Sequence, residues 1–154
     1  MSEKGIDAST MLEELMHELA LKIERVTDTF DDPAQVYAFG IRTVIDTATG
    51  DVTWQQLLNR SEVLANATFR RMGPFAIRDM ETATQAGRFK VDDPELTWKM
   101  TTHAIVGVAL AVASGELPKS VVDETVVRLL CMTGIGRKEA IDLAHRERPA
   151  LPES

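Results

Sequence analysis

The stretch Ala86-Gly87-Arg88-Phe89-Lys90-Val91-Asp92-Asp93-Pro94-Glu95 decides how this chain folds. Asp93 has the short side-chain acceptor that suits a helix N-cap, and Pro94 has the fixed torsion and missing donor that suit the first helical position. Gly87 can take the left-handed conformation that ends a preceding helix. The stretch is therefore a helix stop followed by a helix start. In the helix it opens, Thr97 to Ser114, the second half from Ala104 to Ala113 is apolar all round. Such a helix must be covered on more than one side. One helical layer of a small domain supplies little cover, so part of this surface is expected to meet a second subunit.

Toward the N-terminus, Thr10 and Glu13 have capping-box spacing. Leu12, Leu15, Met16, Leu19, Ile23, Val26 and Phe30 then recur every three or four residues, as on an amphipathic helix. Asp32-Pro33 opens a second helix, with Val36, Tyr37, Ile41, Val44, Ile45 and Ala48 inward and Gly50 at its end. Asp51 caps a short third helix carrying Trp54, Leu57 and Leu58, and Ser61 starts a fourth through Val63, Leu64, Ala67 and Phe69. Gly73-Pro74 is expected to kink or break that fourth helix near Arg70, because proline removes a backbone donor and crowds a carbonyl. The helical period resumes at Phe75, Ile77, Met80, Ala83 and Ala86. After Gly115, Pro118 opens a helix through Val121, Val122, Val126, Leu129, Leu130 and Met132 to Gly134. A short helix from about Arg137 to Ala144 follows. No segment alternates with a period of two, so the class is all-α.

A chain of 154 residues suits one domain that needs no metal or disulfide to hold its core. The expected division is a disordered or partly ordered N-terminus at 1–9, the domain at 10–146 and a flexible tail at 147–154. Cys131 reads as a small buried hydrophobe. The N-terminus has no signal-peptide pattern, and the uncharged run Met100 to Gly115 is shorter than a membrane span, so a cytoplasmic protein without a membrane partner is expected. A net charge of −7, spread along the chain, disfavours nucleic-acid binding by this chain alone.

His17, His103 and His145 have no metal-ligand spacing, and neither a catalytic triad nor a phosphate-cradling glycine loop is present; no metal, cofactor or catalytic residue is expected. Arg70, Arg71 and Arg78 bracket the Gly-Pro step, where a solvated helix face explains them better than an anionic ligand does. Gly134-Ile135-Gly136, flanked by Arg137 and Lys138, resembles the hairpin of helix-hairpin-helix DNA-binding modules. A small DNA-binding or scaffold protein is thus the alternative reading. Glu139, Asp142 and Glu147 surround the hairpin with negative charge, and its glycines also serve as a helix stop and restart.

The order Ala86-Gly87-Arg88-Phe89, Asp92-Asp93-Pro94, the helix containing Gly107, the Ser114-Gly115-Glu116-Leu117-Pro118 turn and a last long helix resembles the C-terminal regulatory domain of TetR-family transcriptional repressors, over roughly residues 10 to 145. The resemblance implies an effector-sensing domain rather than an enzyme. It also implies a homodimer made by a four-helix bundle of Pro94 to Ser114 and Pro118 to Thr133 from each subunit. Gly107 and Ala111 would allow close approach of helices, and Val122, Val126, Leu129 and Leu130 would supply a matching stripe. In this family the effector lies between the early regulatory helices and the first dimerisation helix. Trp54, Phe69, Met72, Phe75, Met80, Trp98 and Met100 are the large apolar residues available there, and they suit an apolar or aromatic small molecule. His103 is a further candidate, to bond the ligand or to bond across the dimer axis. Family members carry a helix-turn-helix domain ahead of this region, for which this chain leaves no room, so DNA binding is expected only through such a reader in a parent protein.

Overall fold

The computed structural model describes residues 3–57 and 60–153, with side chains described at 10–51, 54–56, 60 and 62–153. The expectations for Leu58 and for the Leu57 side chain lie outside the described residues. Among these residues there are seven helices and no strand: α1 (Glu3–Thr27), α2 (Pro33–Gly50), α3 (Val52–Leu57), α4 (Ser61–Gln85), α5 (Pro94–Ala113), α6 (Val121–Cys131) and α7 (Arg137–Ala144). The all-α expectation holds.

The punctuation works as local chemistry requires. The Asp32 carboxylate accepts from Ala34 N at 3.0 Å, Asp51 Oδ1 accepts from Trp54 N at 3.2 Å, and Asp93 Oδ1 accepts from Leu96 N at 3.0 Å. Gly87 takes φ +78° where α4 ends. α1 starts earlier than the Thr10 capping box suggests. A capping box starts a helix only where the residues before it resist helix formation, and Glu3, Lys4 and Ala8 do not.

The expected break at Gly73-Pro74 is corrected: α4 runs as one helix with Pro74 inside it. A proline costs an isolated helix about 3 kcal/mol. Here that cost is offset by burial on both sides of the step, from Leu64, Ala65, Ala67 and Met72 before it to Ala76, Met80 and Ala83 after it. α4 is fixed by α1, α2 and α5 together. Local propensity is overruled by tertiary packing.

α2 is the hub and contacts every other helix. Its sequence allows this, because Ala34, Tyr37, Ala38, Phe39, Ile41, Val44, Ile45 and Ala48 bury more than one face. α5 packs Trp98, Thr101, Thr102, Ile105, Val106 and Ala109 inward. By length and composition α5 also passes as a membrane span, but in this fold it is a core helix on that inner face.

Candidate functional site

Where α1, α2, α4 and α5 converge, they line a small, half-open cavity of about 30 Å³, roughly the volume of one water molecule. Ala20 and Ile23 from α1, Tyr37, Gly40, Ile41 and Val44 from α2, Met72, Phe75, Ala76 and Asp79 from α4, and Trp98 from α5 line it. The wall is apolar and aromatic apart from the polar groups of Tyr37, Asp79 and Trp98. Trp98 is held in place by its indole N–H, which donates to the Phe69 carbonyl at 3.2 Å.

Tyr37 is 1% exposed and its hydroxyl makes no hydrogen bond. The fully buried Thr101 hydroxyl, one turn beyond Trp98 on α5, also has no hydrogen-bond partner. The two hydroxyls lie close enough for Thr101 to act on the Tyr37 phenol. Burial pushes the Tyr37 phenol well above its ordinary range; Thr101 opposes that shift and the Asp79 charge adds to it. Burial likewise raises the Asp79 carboxyl, against its hydrogen bond with Arg78. The tyrosine therefore stays protonated, and the cavity has one polar end.

Of the residues expected to form a pocket, Met72, Phe75 and Trp98 meet at this cavity. Met80 is buried beside them in the core without lining it, and Trp54 is buried at a separate site against Leu15, Leu19 and Leu151. Phe69 is half-buried, with the Lys99 ammonium 4.5 Å above its ring. Met100 and His103 point outward, and the His103 ring bonds the Lys99 carbonyl of its own helix. These two positions are corrections to the pocket expectation, because α5 turns them about half a revolution away from Trp98. Tyr37, Asp79 and Thr101 carried no signal in sequence; only the helix-period position of Tyr37 on the inner face of α2 hinted at its place.

Two of the three arginines near Pro74 are paired within the fold, while the Arg71 Nε is buried without a hydrogen-bond partner. Arg70 pairs with Glu13 at 3.0 Å, and Arg78 pairs with Glu24 at 2.6 Å and Asp79 at 3.1 Å. A larger charged cluster joins the start of α2 to the turn after α4 and to α7. Asp32 receives Arg88 through two contacts at 3.0 and 2.9 Å and Arg146 at 2.8 Å, while Arg88 also pairs with Glu139. These partners hold the Asp32 carboxyl down at about 2, the Arg88 bond contributing most. Arg42 caps the end of α7 by donating to the carbonyls of Leu143 at 3.2 Å and Arg146 at 3.0 Å. The tail after α7 runs back over α2, where Arg148 pairs with Asp46 and Leu151 packs on the core.

α5 leaves an open face. Leu96 is 54% exposed, Met100 52% and Leu110 41%, and His103 and Gly107 lie open between them, so the five are spaced four, three, four and three residues apart. That is the a/d spacing of a helix-pairing seam. The two small residues expected at a subunit contact fit it: Gly107 has no atom within 4 Å of where a Cβ would stand, and Ala111 is half-buried beside it. Val122, Val126, Leu129 and Leu130 do not belong to it. They are buried within this chain, because α6 turns its apolar side to α2 and α7 and leaves Asp123 and Arg128 outside.

The Gly134-Ile135-Gly136 hairpin is used by the fold. Gly134 has φ +92°, and a Cβ there would stand 2.8 Å from Lys90 Cβ. Ile135 is buried, and both terminal nitrogens of Arg137 bond Glu124. The cation best placed to meet a phosphate is thus already paired.

A layer of helices around a buried aromatic cavity, with one long helix half-open, is the architecture of an effector-binding regulatory domain. The chain belongs to the tetracyclin repressor-like C-terminal domain family, whose model matches residues 32–146. Among solved structures it is similar to RolR in complex with its ligand resorcinol, with TM-score 0.83, 22% identity, and coverage of 94% of this chain and 72% of that one. It is also similar to RolR without ligand, with TM-score 0.78, 25% identity, and coverage of 94% and 75% respectively. No curated protein matches the sequence. Membership places the domain among transcriptional regulators rather than enzymes.

Proposed function

We propose that this chain is the sensing and dimerising part of a cytoplasmic TetR-like repressor, and that its effector is a small aromatic molecule bound in the cavity at Trp98. The observation that carries the reading is the small, largely apolar cavity at the junction of four helices. Its size suggests how sensing works. A benzene ring needs a cavity nearer 150 Å³, so a ligand has to part α4 and α5 from α1 and α2 as it enters. A ligand that binds only the widened arrangement shifts the population toward it. α5 carries that change outward, because Trp98 and the open face of Leu96, Met100 and Leu110 are on the same helix. A second copy paired along that face would then turn, and with it any attached DNA readers. Resorcinol, the ligand in the RolR complex, is a single ring of the size this reading requires.

Methyl NMR of the full chain, titrated with resorcinol and with toluene, tests the site. The Met72 methyl is expected to shift while the exposed Met11 and Met132 stay still, and Ala76→Leu is expected to abolish the response. A Met72 resonance unmoved by both compounds at millimolar concentration refutes the site. The hairpin alternative is disfavoured by the Arg137–Glu124 pairing.

A further inference from the structure

From the unpartnered hydroxyls of Tyr37 and Thr101 beside the Asp79 carboxylate, we infer that the cavity selects an uncharged aromatic carrying a hydroxyl group, whose oxygen bonds this polar end. The inference rests on the reading that the cavity at Trp98 is the effector site.

Buried hydroxyls in folded proteins nearly always find a partner, because an unmade bond away from water is a standing cost. Two such groups side by side, one of them in the cavity wall, are uncommon enough to need a reason. A ligand hydroxyl provides one, since it donates and accepts at once. Tyr37 and Thr101 can each do either. Asp79, also in the wall, can only accept while ionised, so a ligand group that bonds it must donate, and a hydroxyl meets this need together with those of Tyr37 and Thr101.

Charge excludes the nearest alternative. Asp79 and Glu24 share Arg78, and Asp28 is close enough to raise Asp79 further, so carboxylates outnumber the guanidinium near the cavity. An aromatic carboxylate would enter against that field and lose its hydration. A neutral phenol meets neither obstacle. The remaining wall, from Ile23, Ile41, Val44, Met72, Phe75 and Trp98, accepts the ring and offers no cation to favour an anionic ligand.

Calorimetry on the full chain with phenol, resorcinol, toluene and benzoate tests this, with the Met72 methyl shift followed in parallel. Phenol and resorcinol are expected to bind about tenfold or more tighter than toluene, since a site built for a hydroxyl penalises its absence. Benzoate is expected to be weakest. Tyr37→Phe and Thr101→Val, both nearly isosteric, are each expected to lower phenol affinity about tenfold and leave toluene affinity unchanged. Equal binding of phenol and toluene by the wild type overturns the inference, as does unchanged phenol affinity in both variants or preferred binding of benzoate. If those results come with a Met72 shift, only the hydroxyl preference falls; if no compound moves Met72, the cavity reading falls with it.

Discussion

The indole N–H of Trp98 donates to the backbone carbonyl of Phe69 across the α4–α5 contact, at 3.2 Å, while the same ring lies 3.5 Å from where a Cβ on Gly73 would stand. Phe69 immediately precedes Arg70, whose carbonyl has no helical donor from Pro74, so the bond falls beside the proline step. Two features that each look like helix breakers therefore form one seat for one side chain. Trp98→Phe keeps a ring in the seat and removes the donor; it is expected to cost about 2 kcal/mol in urea unfolding, from the lost bond and the volume left empty. Gly73→Ala brings only ordinary contact and should be tolerated. Gly73→Val overpacks the seat and is expected to cost roughly 1–3 kcal/mol.

That seat shows what one dimension of sequence conveys and what it omits. Caps and stops are local, so Asp32, Asp51, Asp93 and Gly87 could be assigned from neighbours alone, and with them most helix ends. The pocket was legible only as a set of large residues. Met72, Phe75 and Trp98 converge, but Met100 and His103 are two and five residues from Trp98 and face the other way. A helix apolar all round does not say which of its sides is the inner one. The polar end was invisible, because Tyr37, Asp79 and Thr101 lie on three helices and become neighbours only on packing.

Tyr37→Phe should affect stability and binding in opposite directions. Removing a buried hydroxyl that has no partner relieves its desolvation cost without opening a cavity, so the unliganded chain is expected to gain about 1 kcal/mol. In a thermal scan that is a rise of roughly 2–4 °C. A fall in melting temperature would mean that the hydroxyl is satisfied in the folded chain.

The Asp32 cluster sets an acid limit. Its carboxyl is held at about 2 against an ordinary 3.8, so the folded state favours the ionised form. A depressed pKa gives stability that is present above the unfolded value and lost as pH falls from about 4 toward 2. With Asp32 about three-quarters buried, the contribution is roughly 1–2 kcal/mol. Asp32→Asn keeps a good N-cap for α2 while removing the charge. It is expected to lower stability at neutral pH and to flatten the acid limb of the unfolding profile between pH 4 and 2, as measured by circular dichroism. An unchanged acid limb would assign that limb to other carboxylates.

Gly134→Ala is expected to be among the most damaging single-methyl changes in the chain. The residue has φ +92°, and the new carbon would stand 2.8 Å from Lys90 Cβ and 3.3 Å from the Lys90 nitrogen, which itself donates to the Thr133 carbonyl at 2.7 Å. Neither the backbone nor a Cβ can swing aside as a side-chain tip can. Strain at the torsion and displacement of the Lys90 strap together predict a loss of about 2–4 kcal/mol. Gly136→Ala, with φ −75° and open space around it, is the control and should cost little.

The dimer expected from the sequence divides into two halves with different fates. Leu96, Met100 and Leu110 are exposed at seam spacing around the open Gly107, whereas the α6 residues Val122, Val126, Leu129 and Leu130 already belong to the chain's own core. If α5 supplies the subunit contact, Leu110→Glu places a charge in the seam and should convert a dimer to a monomer in sedimentation, with the unfolding signature of the monomer intact. Leu130→Ala should do the reverse: it removes a fully buried side chain and is expected to cost roughly 2–5 kcal/mol in unfolding while the surviving folded protein still sediments as a dimer. A wild-type chain that is monomeric at micromolar concentration, or a Leu110→Glu variant that remains dimeric, removes α5 as the route by which widening of the cavity reaches a partner. The sensing mechanism would then need another exit from Trp98, and the tail paired to α2 through Arg148 and Asp46 is the next candidate, because α2 also carries Tyr37, Ile41 and Val44 of the cavity wall.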